Sequence, residues 1–396
     1  MRILFLSGLY STPLAPKQGI PNARILARMR AHAEDIRVLA PLPWYPRALT
    51  RRMPSLAALQ DIPATEPDHD GSTVKHPRWI NLPRVGGSLQ AGLYAASVLA
   101  PLRAEVARFK PDVLMSAWAY PDGTAAVLLG KLLGLPTVVR VMGSDINDYG
   151  QRPGRRWQIA RAMSSADRVI AVSAALGRET EALGVDRSRI RVIPTGVDTD
   201  AFQPTPPAEA RAALGLTKPP PGQRLVLVPS RLSREKGIHV FLDAMAAVAP
   251  TVHAVICGDG NQEQPLRAQC EQLGLSQRVQ FAGFQPAARM KHYYAAADLV
   301  CLPSLEEGWP NVLMESFACG CPVVASEVGG VPEIIALTGA GLAAPAGDAS
   351  GLASAIEAVL ARDFDRAAIA ETMQAHTLEV TARRYYETCL ELTGGR

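Results

Sequence analysis

Glu307 and Glu315 stand eight residues apart in the run Ser-Leu-Glu-Glu-Gly-Trp-Pro-Asn-Val-Leu-Met-Glu-Ser-Phe-Ala-Cys-Gly at 304–320. Glu307 falls in a glycine-containing loop, Pro310 suits a first helical position, and 312–318 reads as the buried helix that follows. Backbone N–H groups at Asn311 and Val312 are then free to meet an anion. Eight helical residues advance about 12 Å, so a carboxylate beside that anion site and another two turns deeper would bracket an extended, phosphate-bearing ligand. Carboxylates accept hydrogen bonds from hydroxyls, and sugars are made of hydroxyls. The plain alternative is a solvated helix face. Val312, Leu313, Met314 and Phe317 argue against it and predict a buried Glu315 that needs partners.

A second anion-binding candidate lies upstream. Residues 225–228 read as a buried strand, a helix enters through Gly237, and Ser230-Arg-Leu-Ser-Arg-Glu-Lys-Gly237 joins them. Loops that follow parallel strands gather at the carboxyl edge of the sheet, where α/β proteins bind ligands. Arg231 offers a planar fork there and Lys236 a point charge. The competing reading is a salt-bridged loop with Glu235 as the partner.

Taken in order, Ser-Arg-x4-Lys-Gly, Gly258-Asp-Gly260, Phe281-Ala-Gly-Phe284, Glu307-x7-Glu315 and Pro322-Val-Val-Ala-Ser-Glu-Val-Gly-Gly-Val-Pro-Glu333 resemble the donor half of the retaining glycosyltransferases of family 4. The resemblance implies an α/β protein of two Rossmann-like domains facing across a cleft, the GT-B arrangement, with a nucleotide diphospho-sugar as donor. Carried over by residue, Arg231 and Lys236 would neutralise the donor diphosphate, Glu307 would contact the transferred sugar and Glu315 would hold the ribose hydroxyls. Backbone amides from Gly308 through Asn311 to Val312 would cradle sugar and phosphate, and Gly283 and Phe284 would line the base. The family also implies that no metal or other cofactor is needed and that the leaving diphosphate can serve as base.

Strands are expected at 2–7, 36–40, 74–76, 113–117, 137–141, 168–172 and 190–193, then at 225–228, 253–257, 279–281, 299–302, 323–325 and 341–344, alternating with helical segments. That alternation predicts βαβ units and parallel sheets. A Pro-rich stretch around one short helix places a linker near 197–222. The expected domains are 1–200, with a C-terminal helix at about 377–396 packed back on it, and 201–376.

The first half resembles the family's acceptor half, particularly the branch that builds bacterial surface polysaccharides. Pro13-Leu-Ala-Pro-Lys-Gln-Gly-Ile20 matches the glycine loop near the donor phosphates, with Gly19 its best candidate. Where many members carry a histidine after the Asp-Val-Ile strand this chain has Met115-Ser-Ala117, and Met142 stands where Arg or His often precedes Gly-Ser-Asp. Tyr120, Asp122 and Asp145 are the acceptor-side candidates that remain, each with a turn or cap role as the alternative. The departures keep open a catalytically silent nucleotide-sugar binder, and a nucleotide-sugar epimerase shares the fold. A nicotinamide dehydrogenase is disfavoured, because Gly258-Asp-Gly260 is followed by Asn-Gln-Glu rather than a completed G-x-G-x-x-G.

Composition narrows the setting. No run of 18 apolar residues suggests a spanning helix, the opening Met-Arg-Ile-Leu-Phe-Leu-Ser is too short for a signal segment, and six cysteines in apolar runs of the second half read as reduced thiols. A cytoplasmic protein is expected. The seven histidines follow no metal-ligand spacing, and Asp68-His-Asp70 reads as a polar loop. Residues 1–200 hold 26 basic and 17 acidic residues, a net +9, and the remaining 15 and 20 give −5. A basic half implies an anionic partner. Aromatics beside arginines, at Trp44 to Leu59 and at Arg152-Pro-Gly-Arg-Arg-Trp-Gln, suit an anionic membrane surface, with the inner face of the plasma membrane the natural site and a lipid-linked or glycan acceptor the natural substrate. A solvated basic helix is the alternative, and nucleic acid is disfavoured for want of any recognition motif.

Overall fold

Apolar runs of four to six residues that alternate with helical segments bury themselves as parallel strands covered on both faces. The computed structural model describes residues 1–16, 19–45, 59–82, 87–147, 153–215 and 222–394. The chain divides into two compact units, Met1–Thr195 with Leu378–Arg396, and Gly196–Thr377.

The first unit contains β1 (Arg2–Leu6), β2 (Asp35–Leu39), β3 (Leu42–Trp44), β4 (Thr65–Pro67), β5 (Thr73–Lys75), β6 (Arg78–Ile80), β7 (Val113–Ala117), β8 (Thr137–Val141), β9 (Arg168–Ala171) and β10 (Ile190–Val192). Eight of them form one sheet in the order β10-β9-β8-β7-β1-β2-β5-β4, parallel except for the β4–β5 edge pair. The three-residue strands β3, β4 and β6 are not among the expected strands, and two of them contain proline, which breaks a strand pattern. Helix Leu378–Leu390 turns Leu378, Ala382, Tyr385 and Cys389 into the same core as Ile25, Leu26 and Met29 of helix Ile20–Met29. Four residues on one helical stripe supply that docking. Arg140 on β8 is buried there, donating to Asn22 Oδ1 and Thr195 Oγ1, each at 2.6 Å, with its guanidinium 5.8 Å from the Tyr385 ring centre.

The second unit contains β11 (Arg224–Pro229), β12 (Val252–Cys257), β13 (Val279–Gly283), β14 (Leu299–Leu302), β15 (Val323–Ser326) and β16 (Gly341–Ala344). They form a fully parallel sheet in the order β13-β12-β11-β14-β15-β16. Residues 196–215 pack on this unit. Phe202 meets Tyr294 edge-on at 5.9 Å, and Ala210 of helix Pro207–Ala213 is buried against Ala295 and Ala296. All six cysteines are buried and unpaired, and burial pushes the Cys257 thiol up to about 12. Among the described residues no helix is long and apolar enough to cross a membrane.

Candidate functional site

In each sheet the strand order reverses beside the first strand, and at such a switch point the neighbouring loops part to leave a crevice at the carboxyl edge. In the second unit the reversal falls between β11 and β14. The two loops that leave these strands are the ones with chemistry, 230–237 and 303–310. They are stitched together: Leu305 N donates to the Glu235 carbonyl at 2.8 Å, and Gly237, at φ 63°, lies so close to the Pro303 carbonyl oxygen that a Cβ would overlap it. Lys236 Nζ reaches Glu307 Oε1 at 2.7 Å, and Ser304 Oγ donates to the same oxygen at 2.7 Å. Both partners of the ion pair are largely buried, with 18% and 10% of their side chains exposed. Arg231 behaves differently. It approaches Glu235 only at 3.5 Å and leaves 73% of its side chain in solvent, so the salt-bridged-loop reading describes Arg231 and Lys236 turns to Glu307 instead.

Glycines let two further loops close on this pair. The 258–260 turn after β12 lies against 230–232, where a Cβ on Gly258 or Gly260 would overlap the Ser230 or Leu232 carbonyl oxygen. Gly258 N donates to Gly283 O at 2.9 Å, which brings Gly283 and the exposed Phe284 to the same edge. After β15, Gly329 at φ 52° presses on the Glu307 carbonyl oxygen, and Gly330 N donates to Gly308 O at 3.0 Å. The Gly-Gly pair in the last motif was the sequence signal for this second support.

Helix Asn311–Ala318 starts one residue before the expected 312–318 stretch, and Pro310, expected at a first helical position, is its extended N-cap. Proline's φ suits either position, and here its carbonyl accepts from Leu313 N at 3.1 Å. No side chain caps the helix. Asn311 Oδ1 is a buried acceptor without a hydrogen-bond partner, an arrangement that costs free energy unless a donor reaches it. Glu315 is half-buried, not buried, because the apolar stripe of Leu313, Met314 and Phe317 turns away from it. Its Oε2 accepts from Tyr294 Oη at 2.8 Å, a partner that sequence reading missed because it lies 21 residues upstream on another helix. The loops thus bring Arg231, Lys236, Glu307, Gly308 and Asn311 to the switch point, with Glu315 farther along the helix.

In the first unit the reversal falls between β1 and β7. Gly19 is the left-handed N-cap of helix Ile20–Met29, packed so closely on the Leu9 carbonyl that a Cβ would overlap it. Lys17 and Gln18 of that glycine loop lie outside the described residues. Asp122 joins the two switch-point loops, its Oδ1 accepting from Gly8 N at 2.5 Å, Ser7 Oγ at 3.1 Å and Tyr94 Oη at 3.2 Å. It lines a 230 Å³ pocket with Trp79, Trp118 and Tyr120. Tyr120 Oη donates to Gly87 O at 2.8 Å, and Asp145 accepts backbone N–H bonds from Ala119, Met142 and Gly143, so both hold main chain in place. Arg155, expected on a basic surface, is buried. It donates to Gly87 O and Gln90 Oε1 with its guanidinium 5.4 Å from the Tyr120 ring centre. Arg51, Arg52 and Arg152 lie outside the described residues.

Burial pushes the Asp122 carboxyl up to about 6, outweighing its three donors. A folded-state value above the unfolded one means the protonated form is favoured by folding. The contribution is complete below about pH 4 and is lost as pH rises through about 6. Asp122→Asn should therefore flatten stability between pH 4 and 7, with a gain at pH 7 on the order of 2 kcal/mol. Chemical denaturation of both proteins at pH 4.5 and 7.5 measures it, and parallel pH profiles would refute it. The described residues hold no group of three or more His, Cys, Asp or Glu placed to bind a metal ion.

Comparison with known proteins bears on the family and the fold. Residues 216–376 match the family model of glycosyl transferases group 1, and residues 55–201 match that of glycosyltransferase family 4. A Bacillus subtilis (strain 168) protein described as the teichuronic acid biosynthesis glycosyltransferase TuaC is 30% identical over 339 residues, 84% of this chain and 83% of its own. The D-inositol 3-phosphate glycosyltransferase of Mycolicibacterium smegmatis is 34% identical over 60% of this chain and 57% of its own length. Among solved structures, sucrose-phosphate synthase from Thermosynechococcus elongatus superposes with a TM-score of 0.77 at 22% identity, over 100% of this chain and 99% of its own. Anabaena HepE in complex with UDP gives 0.72 at 23%, over 98% and 99%. These share the fold of two Rossmann-like domains, and the chain is a glycosyltransferase belonging to family 4.

Proposed function

We propose that this glycosyltransferase moves a sugar from a nucleotide diphospho-sugar to a hydroxyl of a glycan or lipid-linked acceptor, with retention of configuration and without a metal or other cofactor. The observation that carries the reading is the Lys236–Glu307 pair at the switch point of the second sheet, beside the uncapped N-terminus of helix Asn311–Ala318. As the glycosidic bond breaks, negative charge grows on the diphosphate while the sugar gains oxocarbenium character. Lys236, the solvent-exposed Arg231 and the helix N-terminus stabilise the first. Glu307, held by Lys236 and Ser304, meets the sugar, while Glu315 receives ribose hydroxyls. The buried Asn311 acceptor takes a ligand hydroxyl or N–H. Gly283 and Phe284 line the base. In the first unit Gly19 approaches the phosphates, and Tyr120, Asp122 and Asp145 shape the acceptor side.

HepE crystallised with UDP-glucose supports a nucleotide-sugar donor, and a relative named for teichuronic acid biosynthesis supports a polysaccharide or lipid-linked acceptor. The net +9 of residues 1–200 supports peripheral contact with an anionic membrane at its cytoplasmic face, with no role for nucleic acid. Thermal shifts with UDP, GDP and ADP sugars identify the donor, because a ligand that binds the folded state raises the melting temperature by mass action. Release of nucleoside diphosphate should then rise with an acceptor panel and persist in chelator. Conversion of donor to an epimer without acceptor would support the epimerase instead, and tight donor binding with no transfer would support the silent binder.

A further inference from the structure

We propose that the face formed by helices Thr124–Leu133 and Pro153–Met163 of the first unit is where the protein docks on an anionic lipid bilayer. This rests on the membrane reading above and names its surface.

Leu128, Leu132 and Trp157 stand 58%, 65% and 66% exposed. Leucines four residues apart share one helix face, and a groove of 380 Å³ brings Leu128 together with Trp157 from the neighbouring helix. Lys131 and Arg161 line the same groove, and the Arg161 guanidinium lies 5.9 Å from the centre of the Trp157 ring. Arg156 is exposed beside Trp157. Neither helix carries an acidic residue. The face is also fixed in advance: Arg155 and Gln158 fasten the second helix to the Gly87–Gln90 segment through Gly87 O, Gln90 Oε1 and Ser88 O.

Exposed apolar side chains flanked by cations, on two helices without an acidic residue, match the two layers of a bilayer surface. Tryptophan settles at the headgroup level, leucine goes deeper, and Lys and Arg meet anionic phosphates. A second copy docked through the same face by a two-fold axis would set these cations against one another.

The test uses the full chain with vesicles of phosphatidylcholine alone and of phosphatidylcholine with one-third phosphatidylglycerol. Wild type should sediment with the anionic vesicles at low salt and be released as salt rises. Each headgroup-level cation contributes about fivefold to partitioning, so Lys131→Gln/Arg156→Gln/Arg161→Gln should bind about a hundredfold more weakly. Leu128→Ser/Leu132→Ser/Trp157→Ser should lose at least about tenfold with all cations in place. The substituted side chains are exposed, so melting temperatures and their rise with donor nucleotide should match wild type, which isolates docking from folding and from the donor site. The blue shift in tryptophan emission on adding anionic vesicles should vanish in Trp157→Phe. Wild-type vesicle binding by the Leu/Trp variant would overturn this face while leaving membrane contact standing. Binding to neither vesicle would overturn both, and a wild-type dimer dissolved by the Leu/Trp variant would assign the face to self-association instead.

Discussion

Lys236→Met should cost about 10²–10³-fold in sugar transfer while the second unit stays folded, the size of effect seen when one preorganised donor to developing negative charge is removed. In the proposed reaction Lys236 has two roles at one point. Its ammonium holds Glu307 at 2.7 Å, and it stands at the opening between β11 and β14, where the diphosphate of a donor would develop charge. The ion pair by itself is a poor guide to stability, since burying two charges costs nearly what their attraction returns. A purely structural Lys236 and a phosphate-binding Lys236 therefore differ in what else changes. Glu307→Gln keeps the shape of the partner and removes its charge. If Lys236 binds phosphate, nucleoside diphosphate affinity falls in Lys236→Met but holds or rises in Glu307→Gln, while transfer falls in both. Equal loss of melting temperature in the two variants, with diphosphate affinity untouched, would leave Lys236 as a strut. Arg231→Ala, which removes a mostly solvated cation, should cost less, on the order of 10-fold.

The local elements of the second unit were legible because each is short-range: a buried strand, a loop carrying Arg and Lys, a helix entered through glycine. Strand periodicity alone placed β1, β7, β8, β11, β14 and β15 to within a residue or two. What spacing could not convey was adjacency. Nothing along the chain says that the loop after β11 and the loop after β14, some 70 residues apart, leave neighbouring strands at a reversal of order, and that adjacency makes Lys236 and Glu307 a pair. Tyr294 was invisible for the same reason. Glu315 misled in another way: apolar neighbours in sequence lie about 100° apart around a helix, so they bury a stripe, not every residue between them. Arg155 looked like a surface cation because basic runs usually are, yet its fork finds the Gly87 carbonyl and the Gln90 side-chain oxygen of an earlier segment and leaves solvent.

Gly329→Ala should lower transfer by about 10²-fold, the cost of moving a reacting group by roughly an ångström. Gly329 sits at φ 52°, where an L side chain costs about 1–2 kcal/mol, and a Cβ there would overlap the carbonyl oxygen of Glu307 itself. The adjoining bond from Gly330 N to Gly308 O resists local adjustment, so the displaced strand end pushes the Glu307 loop. Backbone strain and displacement of the carboxylate can be told apart with Gly339→Ala. Gly339 has nearly the same φ, 64°, but nothing lies within 4 Å of an added Cβ. Both variants carry the same φ cost, so Gly329→Ala should melt lower than Gly339→Ala by the cost of the added clash, and only Gly329→Ala should lose transfer. Because the diphosphate contacts proposed for Lys236 and the helix N-terminus do not run through Gly329, nucleoside diphosphate should still raise its melting temperature. Equal transfer by the two variants would show that Glu307 tolerates the shift, and its place at the reacting sugar would have to be given up.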